Sequence, residues 1–179
     1  MAIQQCLVII KPDCLVKSLT GNIITALSET KFKIIGAKVV SVTKELAEKH
    51  YSELKQRLVE KKGKEEGEKI FEEILKYIQG QYHTNRVLTM VYEGENAIET
   101  IRRLAGSTNP EDADPISIRG KYGRVNSKTQ VMENVMHVSD SEENAKKEIQ
   151  LWFEPEELTS IIYPTKKKNI SMDKIVWKN

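Results

Sequence analysis

Cys6-Leu-Val-Ile-Ile10, followed at once by Lys11-Pro12-Asp13, is the stretch on which the fold turns. A continuous apolar run with β-branched residues at Val8, Ile9 and Ile10 reads as a buried strand. Pro12 ends it sharply, because proline fixes its backbone and removes a donor. Downstream, residues 20–27 carry apolar side chains at helical spacing, with Thr20 placed to cap. A second strand is expected over 32–43, with Gly36 marking a bulge. Residues 44–58 read as a helix. The charged, Gly-punctuated segment 59–69 reads as an exposed excursion that merges into a helix bearing Ile70, Phe71, Ile74, Leu75 and Ile78. A strand over 86–92 precedes a helix over 95–105 that stops at Gly106. Residues 107–130 show little periodicity, and so long an irregular stretch in a compact domain usually serves function. The last strand spans 131–138. Ser139 and Glu142 then have capping-box spacing for a final helix. Four strands thus alternate with helices able to cover a sheet.

With 179 residues, 39% hydrophobic and 30% charged, the composition is globular and fits one domain. The 28 Lys+Arg and 26 Asp+Glu leave a net charge of +2, which gives no whole-molecule field for nucleic acid. The lysine runs at 61–64 and 166–168 are short and lack an aromatic platform, so they read as solvated surface. Cys6 and Cys14 have no C-x-x-C spacing, and across a largely extended segment they stand too far apart to bridge. Reduced thiols in a cytoplasmic protein are expected. The N-terminal apolar run lacks a charged flank before it and is too short to span a bilayer, so no membrane partner is expected.

Neither the G-x-G-x-x-G fingerprint nor the P-loop occurs, and no His pair has zinc-ligand spacing. Phosphates, if bound, would be held by side chains. The sharpest local feature is Asn134-Val-Met-His137-Val-Ser139-Asp140-Ser141. Its His137 ends a strand just before a helix, and an unprotonated imidazole is a good phosphoryl acceptor near neutral pH.

This stretch resembles the active-site motif of the nucleoside diphosphate kinase family. Further matches stand in the family's order: Lys11-Pro12-Asp13, Gly21-Asn-Ile-Ile24, Glu48-Lys-His50-Tyr51, Gly106-Ser-Thr108-Asn109-Pro110, Ile118-Arg119-Gly120 and Leu151-Trp152-Phe153-x-Pro155-Glu156-Glu157. The resemblance covers most of the chain. It implies an α+β, ferredoxin-like sandwich, a four-stranded antiparallel sheet with helices on one face. It also implies ping-pong transfer of a γ-phosphate from a nucleoside triphosphate to a nucleoside diphosphate through a phosphohistidine on His137. Mg2+ would be held mainly by the nucleotide phosphates, with no direct protein ligand. A homo-oligomer, hexamer or tetramer built from dimers, would be the assembly, with the tail near Trp177 available for packing.

By the same resemblance, Lys11 contacts the transferring phosphoryl, Arg102, Thr108 and Arg119 hold the phosphates, and Asn134 meets the sugar. Tyr51 bonds near the histidine. Glu148 orients the imidazole with support from Ser139, which is also placed to cap the helix. Phe71 is the expected stacking partner of the base, with Ile70 as the neighbouring alternative. His50 and His83 have no catalytic context. The chain departs from the family's pattern at Cys14, at Val138 beside the nucleophile, at Ile116-Ser117, in the charged insertion 59–69 and in a lengthened stretch before residue 131. Those departures motivate a second reading, a catalytically weak nucleotide-binding or regulatory module.

Overall fold

A computed structural model describes residues 2–129 and 131–169. Along the chain run β1 (Ile3–Ile10), α1 (Pro12–Val16), α2 (Thr20–Ser28), β2 (Lys33–Ser41), α3 (Lys44–His50), α4 (Ser52–Lys62) and α5 (Lys64–Ile78). They are followed by β3 (Arg86–Glu95), α6 (Ala97–Ala105), α7 (Ile118–Tyr122), β4 (Arg124–Val125), β5 (Met132–Glu133), β6 (Met136–Val138) and α8 (Glu142–Trp152). The main sheet has the order β2-β3-β1-β6, and every neighbouring pair is antiparallel. This is the expected ferredoxin-like α+β sandwich.

Helices cover both faces of the sheet, however, not one. The reason lies in β1, where residues 6–10 are all buried and no polar residue alternates with them. Cys6, Val8 and Ile10 pack with Ile23 and Leu27 of α2 and Ile98 and Ile101 of α6. Leu7 and Ile9 pack oppositely, with Phe71 and Leu75 of α5 and Ile149 and Trp152 of α8. Full burial of such a side chain contributes roughly 1.5–3 kcal/mol, so a charge at Leu7 or Val8 would unseat one layer.

The bulge in β2 falls as expected. Ile34 pairs with Tyr92 and Gly36 with Val91, leaving Ile35 extra. Its carbonyl accepts from Thr159 N at 2.8 Å, and a Cβ on Gly36 would come within 2.6 Å of Leu158 Cδ2. The chain after α8 therefore crosses the sheet where there is no side chain.

Several local expectations need correction. The helix over 44–58 is two helices that meet at Tyr51, whose φ of −99° and ψ of 15° break the first. The 59–69 excursion is helical except at Gly63. Its Glu and Lys residues are strong helix formers, and Lys62–Glu66 and Lys55–Glu68 pair at 3.8 and 3.6 Å. Gly67 lets the two helices close up, since a Cβ there would lie 2.7 Å from Val59 Cα. Thr20 is the first residue of α2 and makes no side-chain cap. The strand over 131–138 is interrupted, because Val135 has a φ of 58°. Ser141, not Ser139, caps α8, accepting from Asn144 N at 3.1 Å. Trp177 lies outside the described residues. Among those residues no helix is long and apolar enough to cross a membrane.

Candidate active site

His137 stands on the edge strand β6, paired with Ile9 of the internal strand β1. Its strand neighbours Met136 and Val138 are buried, and strand alternation turns the imidazole to the other side. His137 Nε2 lies 2.8 Å from Glu148 Oε1 on α8. The second carboxylate oxygen accepts from Ser139 Oγ at 2.5 Å, and Ser139 Oγ accepts from Leu7 N at 3.1 Å. An ionised carboxylate only accepts. It therefore places the proton on Nε2 and leaves the Nδ1 lone pair free. Of the two roles expected for Ser139, it does not cap the helix but ties this relay to the backbone of β1.

A cavity of about 1320 Å³ opens beside the imidazole and is lined by Lys11, Tyr51, Arg102, Thr108, Arg119 and Asn134, among others. Lys11 stands where β1 meets α1, and its Nζ donates to Asn134 Oδ1 at 2.7 Å. Asn134 Nδ2 donates to the Thr108 carbonyl at 2.8 Å, which fixes the amide's orientation. Buried Arg119 donates from Nη1 to Gly106 O at 2.7 Å and from Nη2 to Met136 O at 3.0 Å, while its Nε has no partner. Gly106 itself must lack a side chain. It ends α6 with a φ of 83°, and a Cβ there would meet Ser117 Oγ at 2.3 Å.

Burial first, and then the nearby Arg119, lower Lys11 to about 8 against the opposing pull of Asp13. Burial and then Arg102 bring Arg119 down to about 10. Both cations are thus short of anionic company, the electrostatic form of a polyanion site. Burial, then Glu148 and Asp13, pushes the Tyr51 phenol far up, so it stays an O–H donor.

Helices α4 and α5 give the cavity the apolar side chains Leu54, Leu58, Ile70 and Ile74, with charged residues such as Arg57 and Lys69 beside them. Phe71 is not there. It is 7% exposed and packs with Leu75, Ile78 and Val91 in the core. Adjacent residues on a helix point about 100° apart, so facing the core with Phe71 turns Ile70 to the cavity. The expectation that Phe71 stacks on a base is corrected accordingly.

The nucleoside diphosphate kinase family profile matches residues 4–158. The nucleoside diphosphate kinase of Pyrococcus furiosus is 42% identical over 156 residues, covering 87% of this chain and 86% of that one. That of Halalkalibacterium halodurans is 41% identical over 155 residues, 87% and 92% of the two chains. The chain belongs to the nucleoside diphosphate kinase family. Its enzymatic class is that of a nucleoside diphosphate kinase, a phosphotransferase acting on nucleotides. Among solved structures, a transition-state mimic of the Borrelia burgdorferi kinase with bound vanadate and ADP superposes with a TM-score of 0.75 at 31% identity, covering 92% of this chain and 93% of that one. An NDP kinase from Pyrobaculum aerophilum superposes at 0.77 with 28% identity, covering 89% and 100%.

Two buried acids that do not line the cavity hold the backbone around it. Asp13 is wholly buried, accepts from Tyr77 OH, and accepts from Val135 N at 3.2 Å. Lys11 N donates to Val135 O at 2.9 Å. These bonds hold a β-branched residue at positive φ, a conformation that needs such support. Glu133, 1% exposed, accepts from Lys17 Nζ at 2.9 Å, Arg124 Nε at 2.7 Å and Asn126 Nδ2 at 2.9 Å, and lies 3.2 Å from His83 Nε2. It therefore anchors the β4–β5 hairpin, whose Val131 and Met132 line the cavity. His50, read as structural, also lines the cavity. Cys14 is fully buried, and burial raises its thiol to about 12, so it is no redox handle beside the phosphates.

Burial alone would raise the Glu133 carboxyl, but hydrogen bonds from Arg124, Asn126 and Lys17 overcome this and hold it far below its ordinary value. A depressed pKa contributes stability above the unfolded pKa, about 4.3 for Glu, and loses it as pH falls toward the folded value. Glu133→Gln should therefore lower Tm by a constant amount above about pH 5, and the gap to wild type should narrow below about pH 4.3. Thermal melts from pH 2.5 to 8 read this directly. A gap independent of pH would mean the carboxylate's charge contributes nothing.

Proposed function

We propose that the enzyme works by a ping-pong mechanism through a phosphohistidine at His137 Nδ1. The observation that carries this reading is the free Nδ1 lone pair, fixed by the Glu148–Ser139 relay, beside Lys11 and Arg119, whose charges burial disfavours. The Nδ1 lone pair attacks Pγ of the donor, the bond from Pγ to the leaving diphosphate oxygen breaks, and the second nucleotide takes the group back by the reverse step. Lys11 would contact the moving phosphoryl. Arg102, Thr108 and Arg119 would hold the diphosphate, and Asn134 the sugar. Tyr51 would donate near the imidazole. Ile70 and Ile74 give the base an aliphatic wall, which favours loose contact over ring stacking and little selection among bases.

Phosphoryl transfer of this class takes a divalent cation, and we assign Mg2+, which would offset phosphate charge when bound. Magnesium demands oxygen ligands, and both Glu148 oxygens are engaged by His137 and Ser139. The nucleotide phosphates and water would therefore hold it. The alternative of a catalytically weak binding module draws on Val138. That side chain packs into the core with Cys6 and Ala145, on the side away from the imidazole, so its bulk need not slow transfer.

We further assign residues 1–179 to one domain with 59–69 as an insertion that lengthens the α4–α5 hairpin. A cytoplasmic homo-oligomer built from dimers, tetramer or hexamer, is the proposed assembly. Support comes from the edge position of β2, whose Ile34 and Val39 are 45% and 63% exposed. Sedimentation equilibrium tests it, and a monomer at micromolar concentration would refute it.

The mechanism is tested by mixing protein with γ-labelled ATP and Mg2+, then adding a nucleoside diphosphate. An acid-labile label should form stoichiometrically and leave on the chase. Its absence from wild-type protein would overturn the reading. A pH profile adds a second check. Since kcat/KM reports the free enzyme and Lys11 loses its charge above about 8, kcat/KM should fall about tenfold per pH unit beyond that point. A bound phosphate favours the ammonium form, so kcat should fall only at higher pH. Equal profiles for both parameters would show that Lys11 does not carry the effect.

A further inference from the structure

His50 ends α3, and its Nδ1 receives the indole N–H of buried Trp152 at 3.2 Å. Indole nitrogen only donates. The Nδ1 of His50 is therefore an acceptor, and the neutral ring carries its proton on Nε2. Protonation of the ring would set two N–H groups against each other. Burial opposes it as well, followed by the nearby His137 and Lys11, and together they hold the His50 pKa far below its ordinary value.

The Nε2–H fixed in this way is buried and has no acceptor among the described residues. Only one other buried side-chain nitrogen or oxygen among them lacks a partner, Arg119 Nε, and both residues line the same cavity. The His50 and His137 rings stand 4.6 Å apart, edge to face at 80°. Ligand-capable atoms of His50, His137 and Glu148 lie within 4.8 Å of one another. A metal ion across these three would need the Nε2 lone pair, hence a proton on Nδ1 facing the Trp152 N–H. The tautomer disfavours that. Buried donors left unpaired call for an explanation, and the acceptor that fits here arrives with the reaction.

We propose that His50, locked by Trp152 as the Nε2–H tautomer, is a further catalytic residue that donates a hydrogen bond to a nonbridging oxygen of the phosphoryl group as it moves to and from His137. The inference rests on the phosphohistidine reading above. His50 transfers no proton. It stabilises charge on the oxygens while the bond to His137 Nδ1 forms and the bond to the leaving oxygen breaks.

The test uses the full-length protein and measures the two half-reactions in single turnovers, with ATP and Mg2+ phosphorylating His137 and a diphosphate removing the group. His50→Phe keeps a ring but loses the donor, and both rates should fall on the order of 10²-fold with little change in nucleotide Kd. His50→Gln returns an N–H near the Nε2 position and should recover most of the loss. Trp152→Phe frees the tautomer and should fall between. Nitrogen-15 NMR of wild-type imidazoles should show His50 protonated at Nε2 and not titrating from pH 5.5 to 8. That measurement stands even if a variant fails to fold.

Half-reaction rates within twofold of wild type in His50→Phe would overturn the proposal. So would a wild-type His50 carrying its proton on Nδ1, or a folded His50→Gln as slow as His50→Phe. Failure of the wild-type protein to take label at all would instead remove the phosphohistidine reading, and this inference with it.

Discussion

His137→Ala should take no label from γ-labelled ATP, and its turnover should fall by at least about 10⁴-fold, the scale of losing a nucleophile outright. On the proposed mechanism the effect is this large because Glu148 holds the imidazole with its Nδ1 lone pair free in the cavity that Lys11 and Arg119 also line. Glu148 and Ser139 spend their hydrogen-bonding capacity on it, and Lys11 and Arg119 are committed cations. Nucleotide binding should survive, since Lys11, Arg102 and Arg119 remain, and Kd for ADP by calorimetry should stay within about threefold. Glu148→Gln makes the contrast. An amide still accepts at one oxygen, but without the negative charge the Nε2–H tautomer is less favoured, and labelling should slow by about 10–100-fold without disappearing. Stoichiometric, chaseable label on His137→Ala would place the nucleophile elsewhere.

The parts of this site that could be read from residues alone were those whose chemistry is local. The run at 6–10 announced a buried strand, though not that helices cover both its faces, and Lys11 and His137 sit at strand ends where such a sheet delivers them. The contacts that could not be read join residues far apart in the chain. Nothing near His50 announces Trp152, which lies 102 residues away. Glu133 looks like a surface acid until Lys17, 116 residues distant, is folded onto it. Phe71 and Ile70 are indistinguishable by composition. The choice between them depends on which face of α5 meets the sheet, and packing settles that. The 59–69 segment misled differently. Its glycines suggested a loop, whereas Gly63 makes the turn between two helices and Gly67 lets them touch. The break at Val135 is also a tertiary effect, since a valine at positive φ persists only because Asp13 and Lys11 hold its backbone.

Arg119→Met should cost both activity and stability, and the pairing of the two losses is the point. The guanidinium joins the end of α6, through Gly106 O, to the strand residue just before His137, through Met136 O. Methionine fills similar volume but leaves both carbonyls without that donor. At about 1–3 kcal/mol for each unsatisfied buried group, and about 2–4 °C per kcal/mol for a chain of this size, Tm should drop by at least about 5 °C. Activity falls for a separate reason, because the unpartnered Nε and the charge are lost to the phosphates, and kcat/KM should fall on the order of 10³-fold. Arg119→Lys separates the two effects. An ammonium keeps the charge but lacks the planar fork needed to reach two carbonyls at once. Its Tm should sit near that of the methionine variant, while its Kd for ADP should stay closer to wild type. If Arg119→Met kept the wild-type Tm, the bridge would carry no stability. If it also kept kcat/KM within tenfold, the guanidinium would not act on the phosphates.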